Sequence, residues 1–480
     1  MAVDQELTFA STLELSDRLR KREISAVELL EATLERISRL EPKLNAFVEV
    51  FAETARDAAR ESDRRLAGGA EVRALEGIPV PIKDLTMISG SRLGFGSRLS
   101  PPFPMPQDSS VVARLRSAGA VIVGRTTLPE FGSIPSTECD VTGATHNPWN
   151  LDYSPGGSSG GAGAAVAAGI VPAAHGTDGG GSLRIPASVN GLFTLKPTRG
   201  LISPDPLEDD FAFTVHGFLT RIVADSARLM DLVAGSIVGD AYFTPAPSTS
   251  FTSSIASAPR PLRVALATSA PVDLEIHPAC VAAARAAADL LSDLGHDVVE
   301  AAPSWHDGAI AEDFLKVWSM VVGTGIELLS AFGGGTWEDV EPHNRALYES
   351  TKALDALQVG MAMAKGRGYA RQIMGFFRDH DVLVTPTLGE TPWKLGEFFG
   401  GRDADPLYPF ARATPTCAFT VVVNLTGQPA ISVPLGEHER MPVGVQIAGR
   451  LGDDPLLMQL GAQIEAAHPW ADRRPALAEG

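Results

Sequence analysis

Ser159-Gly-Gly-Ala-Gly-Ala-Ala-Val-Ala-Ala-Gly-Ile-Val-Pro-Ala-Ala-His-Gly176 is followed, after a short Gly-rich turn, by Ser182-Leu-Arg-Ile-Pro-Ala-Ser-Val-Asn-Gly-Leu-Phe-Thr-Leu195. Each stretch reads as a helix running into a short apolar strand, with Gly or Pro marking the change. The same order recurs over 109–124, where a helix leads into Ala120-Val-Ile-Val-Gly124. Repeated helix–strand alternation is the pattern of an α/β fold. Apolar runs at 262–267, 382–385, 430–433 and 443–447 extend it, with a helix over 277–294. The architecture expected is a central twisted mixed β-sheet covered by helices on both faces. The run from Gly160 to Ala174 is too short and too rich in Gly and Ala to span a membrane, and predicts a tightly packed buried helix.

Toward the N-terminus, Ser11-Thr-Leu-Glu14 and Ser25-Ala-Val-Glu28 are capping boxes that each start a helix. The second helix carries Val27, Leu30, Leu34, Ile37 and Leu40 at steps of three or four, an apolar stripe that must pack on something. In Gly77-Ile-Pro-Val-Pro-Ile-Lys-Asp84, Ile78, Val80 and Ile82 alternate as in a strand, and the prolines confine it to an edge. Lys83 ends that strand. Toward the C-terminus, 302–380 reads as mainly helical, 388–416 as a long loop region, and 245–261, rich in Ser, Ala and Pro, as a surface loop.

Composition narrows the classes of function. The 480 residues are 44% hydrophobic and 20% charged, as in a globular protein with a sizeable core. A net charge of −18 and the lack of any Lys/Arg-rich run oppose binding to nucleic acid or an anionic membrane. Cys139, Cys280 and Cys417 are odd in number and far apart, so neither a disulfide framework nor a zinc site is expected. No metal is expected at the ten histidines, which lack ligand spacing. The start, Met1-Ala-Val-Asp-Gln-Glu6, lacks a basic and then apolar signal, and cytoplasmic residence is expected.

The chemistry sits in two Gly-rich turns, each delivering a serine: Tyr153-Ser-Pro-Gly-Gly-Ser-Ser-Gly-Gly161 and His175-Gly-Thr-Asp-Gly-Gly-Gly-Ser-Leu-Arg184. Successive glycines let backbone N–H groups converge, so Gly179, Gly180, Gly181 and Ser182 form a candidate anion nest for the oxyanion of a tetrahedral intermediate. A serine nucleophile needs a base, and a lysine serves only when neutral, which burial favours. Lys83, after an apolar strand, is the candidate; Asp84 beside it is an alternative, purely structural partner.

These three segments, 77–84, 156–161 and 176–184, resemble the amidase signature in content, order and separation. The resemblance covers most of the chain, including 424–434 and 442–446, and is weakest over 302–420. It implies one amidase domain over 1–480, with 302–420 as a divergent helical and loop region that binds substrate. It implies Ser182 as nucleophile, Ser158 as proton relay after a cis peptide, Lys83 as base, and Thr177, Asp178 and Arg184 as supports of the loop. It implies no cofactor, with a small-molecule amide or carbamate as substrate; a homodimer is left open. Gly179 departs from the common pattern, which has Thr or Ser there. Segments 143–150 and 184–190 and Gly427-Gln-Pro-Ala-Ile-Ser432 look most like the 6-aminohexanoate-cyclic-dimer hydrolase branch, which handles small non-peptide amides, and urethanes and esters present the same polarised carbonyl.

Three rival readings remain at this level, one of them a non-enzymatic scaffold that has kept the fold, disfavoured because Lys83, Ser158 and Ser182 are all present. The glutaminase subunit of a tRNA-dependent amidotransferase resembles the same family, but commonly has Gln where this chain has Ile185, and the charge repels tRNA. Gly156-Gly-Ser-Ser-Gly160 also fits G-x-S-x-G, the elbow of Ser-His-Asp esterases, which needs an apolar strand before it; Asn150-Leu-Asp-Tyr-Ser-Pro155 is polar. Neither a P-loop nor a dinucleotide fingerprint is present. Trp305, Trp318, Trp337 and Trp393 are each expected in the core, and as a group are candidates to line an apolar acyl or aryl site. Cys417 is a candidate to lie by that site, with an inert buried thiol as the favoured reading.

Overall fold

The computed structural model describes residues 7–68, 71–207, 213–306, 310–333 and 335–478. The start read above for a signal, 1–6, lies outside them. Both N-terminal capping boxes form: Ser11 and Ser25 accept from the N–H groups of Glu14 and Glu28, whose carboxylates accept in return, opening helices Thr12–Arg20 and Ala26–Leu44.

Thirteen strands follow among the described residues. They are β1 (Phe47–Val50), β2 (Pro79–Lys83), β3 (Val121–Thr126), β4 (Glu138–Cys139), β5 (Gly143–Ala144), β6 (Ala173–Asp178), β7 (Phe193–Lys196), β8 (Val215–Thr220), β9 (Arg263–Leu266), β10 (Asp297–Glu300), β11 (Val382–Pro386), β12 (Ala430–His438) and β13 (Met441–Ala448). Eight of them build a mixed sheet in the order β10-β9-β11-β13-β12-β7-β8-β6, and β1-β3-β2 form a smaller one. The eight-stranded sheet is the central mixed sheet expected from sequence; the smaller one adjoins it where β2 and β6 lie side by side without a ladder. Prolines explain the break. The carbonyl of Ile78 accepts from Val121 N–H on the β3 side, so the alternate residues Pro79 and Pro81 face away from β3 and offer no donor there.

Helices cover both faces of the large sheet. Ser432 pairs with Gln446, and on that face helix Arg184–Asn190 packs so closely that a Cβ at Gly444 would lie 2.7 Å from Ser188 Cβ. Ile431, one residue on and so on the opposite face, packs with Phe193 against Gly461 of helix Asp454–Ala467. The Gly/Ala helix expected from 160 onward is Gly160–Ala167, buried along its whole length. Glycine is required there: a Cβ at Gly161 would lie 2.5 Å from the carbonyl oxygen of Ala46 and 2.6 Å from Thr127 N.

Several elements correct the reading from sequence. Strands β1, β8 and β10 and the β4-β5 pair carry no clear alternation and were not foreseen. The loop over 245–261 contains a helical turn, Phe251–Ser254, anchored by the buried Phe251. The loop region 388–416 ends in helix Tyr408–Cys417. In the helical region, Ile310–Ala331 is long and apolar enough to cross a membrane, with mean hydropathy 1.3. Here it packs on helices Pro342–Lys352 and Ala356–Phe376.

Candidate active site

Lys83 ends β2 and Thr177 stands next to the end of β6, where the two sheets meet without a ladder. Lys83 Nζ lies 2.7 Å from Ser158 Oγ and 2.9 Å from Thr177 Oγ1. The side chain is wholly buried. Burial pulls its pKa down to about 7, with the Asp178 carboxylate acting in the opposite sense. A lysine so placed reaches the neutral, proton-accepting form near physiological pH. Asp84 is not its partner: it pairs instead with Arg125 at 3.2 Å, both buried.

The peptide between Gly157 and Ser158 is cis. The two adjacent serines part ways. Ser158 meets the lysine, whereas Ser159 Oγ donates to the carbonyl of Thr177 at 3.1 Å and Ser159 N–H donates to the carbonyl of Ser182 at 3.2 Å. The latter bond sets the two serine turns side by side. Gly132 closes over Ser158: at φ +66, a Cβ there would lie 3.0 Å from Ser158 Oγ. That turn is held by Glu130, whose Oε2 accepts from Glu341 N–H and from Asn344 Nδ2 at the start of helix Pro342–Lys352. Nothing in the sequence singled out this buried contact.

Ser182 stands two residues before helix Arg184–Asn190, and its hydroxyl makes no hydrogen bond with any described residue. Asp178 organises the turn around it. The carboxylate accepts from Gly181 N–H at 2.8 Å and Leu183 N–H at 3.2 Å, and pairs with the Arg184 guanidinium at 2.8 Å. Burial opposes its charge, but Arg184 holds the carboxyl well below the usual carboxylate range. Arg184 also donates to Gln446 Oε1 and Asn424 Oδ1, residues from the two C-terminal family segments. Of the four N–H groups in the expected nest, that of Gly181 is therefore taken by Asp178, and its part in the turn is conformational, at φ +131. Those of Gly179, Gly180 and Ser182 have no acceptor among the described residues. Arg184→Leu is expected to lower unfolding stability by about 3–5 kcal/mol, because it leaves Asp178 charged and buried without its partner; chemical denaturation measures this.

Behind Lys83, His175 Nε2 and His216 Nδ1 are 3.0 Å apart. Burial lowers both, followed at His175 by His216 and then Lys83 and at His216 by Lys83; His216 falls to about 4, so the pair is neutral at physiological pH. No histidine hydrogen-bonds Ser158 or Ser182 among the described residues. No group of three or more His, Cys, Asp or Glu is placed to hold a metal among them either.

A cavity of about 450 Å³ opens beside Ser182. Its walls are mainly apolar, from Ile134, Phe314, Trp318, Phe410 and Val421 among others, and Glu312 and Asp405 are the charged residues on them. Of the four tryptophans named above only Trp318 lines it; Trp305 and Trp393 are buried elsewhere and Trp337 packs beside Tyr348. Cys417 is on the wall, but burial pushes its thiol up to about 12, so it stays protonated.

A paired lysine and serine beneath a Gly-rich serine turn, on a mixed sheet, define a class, and the chain belongs to it: the sequence profile of the amidase family matches residues 28–458. Among individual proteins, the chain is 38% identical over 479 residues to 6-aminohexanoate-cyclic-dimer hydrolase of Pseudomonas sp. (strain NK87), covering 96% of this chain and 95% of that one. It is 34% identical over 488 residues to an acylamidase of Rhodococcus erythropolis, covering 98% of both. A solved structure of 6-aminohexanoate cyclic dimer hydrolase complexed with substrate superposes with a TM-score of 0.92 at 36% identity, over 98% of this chain and 99% of that one. A bacterial aryl acylamidase of the amidase signature family gives 0.90 at 26% identity, over 99% of both. The fold is that of amidase signature enzymes, and the protein is a hydrolase of carbon–nitrogen bonds in amides.

Proposed function

We propose that the protein hydrolyses small, uncharged amides, aryl or aliphatic and including oligoamides, through an acyl-enzyme on Ser182. The observation that carries this reading is the buried Lys83, 2.7 Å from Ser158 Oγ, under a largely apolar cavity that Ser182 lines. Ser182 Oγ attacks the carbonyl carbon while its proton passes to Ser158 and that of Ser158 to Lys83 Nζ. The oxyanion is held by the N–H groups left open at Gly179, Gly180 and Ser182. Lys83 returns a proton through Ser158 to the amide nitrogen as the C–N bond breaks and the amine leaves. Water then attacks the ester by the same relay, releasing the acid and restoring Ser182. Thr177 holds Lys83, and Asp178 with Arg184 holds the turn.

Among the described residues the walls offer no lysine or arginine to the α-carboxylate of glutamine, which weighs against a glutaminase. Most of the cavity is built by 310–425, supporting 302–420 as the substrate-binding region within one domain over 1–480. The three cysteines are free, which fits cytoplasmic residence.

The test is mass spectrometry after a sulfonyl fluoride probe, with peptide mapping, on wild type and Lys83→Ala. Label on Ser182 that is lost without Lys83 supports the relay, and label on Ser158 independent of Lys83 overturns it. A panel of anilides, aliphatic amides, oligoamides, esters and aryl carbamates then ranks substrates.

A further inference from the structure

Gly179, the position at which this chain departs from the common family pattern, faces two side chains closely, Trp318 and Thr214. A Cβ at 179 would lie 3.1 Å from Cη2 and 3.2 Å from Cζ3 of Trp318, and 3.1 Å from Thr214 Oγ1. The indole therefore packs on the backbone of the residue that opens the nucleophile turn. Its other edge is tied down as well: Nε1–H donates to the carbonyl of Ser133 at 3.1 Å, in the segment that carries Gly132 over Ser158. Phe314, one helical turn earlier, stacks on it with ring centres 5.9 Å apart and planes 14° from parallel, and Phe314 meets Phe213 at 5.6 Å. Trp318, Phe314, Ser133, Gly180 and Ser182 all line the cavity.

An indole held at one edge by the nucleophile turn and at the other by the segment that covers Ser158, with its only donor satisfied, presents the cavity with a rigid apolar surface. We propose that Trp318 is a specificity-determining residue, a flat wall on which a planar aryl group next to the scissile amide stacks, and that Gly179 is the residue whose missing side chain admits it. This rests on the amidase reading of the cavity. An aromatic face gains from an offset-stacked aromatic partner more than the buried area alone accounts for, which an alkyl chain does not. A Ser or Thr at 179 would crowd both the indole and Thr214, and the indole would have to give by a few tenths of an ångström on the side of the turn. An aryl-lined site beside the carbonyl and a bare glycine at 179 are then two halves of one device.

The test compares kcat/KM for benzamide against butyramide, and for butyranilide against N-butylbutyramide, so that the ring is placed on either side of the bond. Trp318→Ala is expected to lower at least one aryl-to-alkyl ratio by about 10- to 100-fold, and Trp318→Phe, which keeps a flat face, to hold it within about threefold of wild type. Gly179→Ser is expected to lower the same ratio, and the double variant Gly179→Ser/Trp318→Ala to lower it no further than Trp318→Ala, since both act through one contact. Trp318→Leu, which keeps apolar bulk without the flat face, is measured alongside in case the alanine variant does not fold, and thermal melts accompany each. Ratios unchanged in both Trp318→Leu and any folded Trp318→Ala overturn the inference while leaving the amidase reading intact. A wild-type protein that turns over none of the four amides and takes no label at Ser182 overturns both.

Discussion

Ser182→Ala is expected to lower kcat/KM for amide hydrolysis by about 10⁴- to 10⁶-fold, because it removes the atom that forms the covalent intermediate. The loss should fall on catalysis and leave the fold almost untouched. The Ser182 hydroxyl makes no hydrogen bond with the described residues and borders the cavity, so deleting it orphans no buried partner and leaves no closed void. Melting temperature and substrate-analogue binding should stay near wild type while turnover and probe labelling vanish. Labelling that persists on Ser158 in this variant would count against Ser182 as nucleophile.

Lys83→Ala is expected to lower kcat/KM by about 10²- to 10⁴-fold, the usual contribution of a positioned base. The wild-type pH profile carries the sharper signature. Neutral Lys83 accepts the proton, and burial brings its pKa down to about 7, so kcat/KM should rise as pH passes upward through about 7 and then level off. A profile governed by a histidine pair would show its rise near or below the 4 to which His216 is pushed. Stability has its own sign. A lysine whose pKa is about 7 when folded and about 10.4 when unfolded binds fewer protons in the folded state between those values, so its contribution to stability rises with pH across that window. Lys83→Met should flatten that rise relative to wild type, as melts from pH 7 to 10 would record.

Much of the architecture was readable because it is local. Capping boxes at Ser11 and Ser25, the Gly/Ala helix Gly160–Ala167, and the helix–strand pairs ending in β3, β6 and β7 all depend on residues within a few positions of one another. Strands β8 and β10 escaped notice for a matching reason. The β8 sequence Val-His-Gly-Phe-Leu-Thr is buried on both faces of the sheet and so shows no period-two pattern. The β10 sequence Asp-Val-Val-Glu lies at the sheet edge and is mostly exposed.

At the site, residue identity and order along the chain were enough to nominate Lys83, Ser158 and Ser182 and the Gly-rich turns that present them. What the adjacent Ser159 does instead, which N–H of the turn Asp178 consumes, and which of four tryptophans reaches the cavity were decided only by the assembled fold. Periodicity, capping and turn chemistry are set by neighbours along the chain. Desolvation of an ammonium, the pairing of a buried carboxylate and the seating of an indole on a glycine are set by neighbours in space, here contributed by segments from β2 to the helix Ile310–Ala331 and the C-terminal residues Asn424 and Gln446.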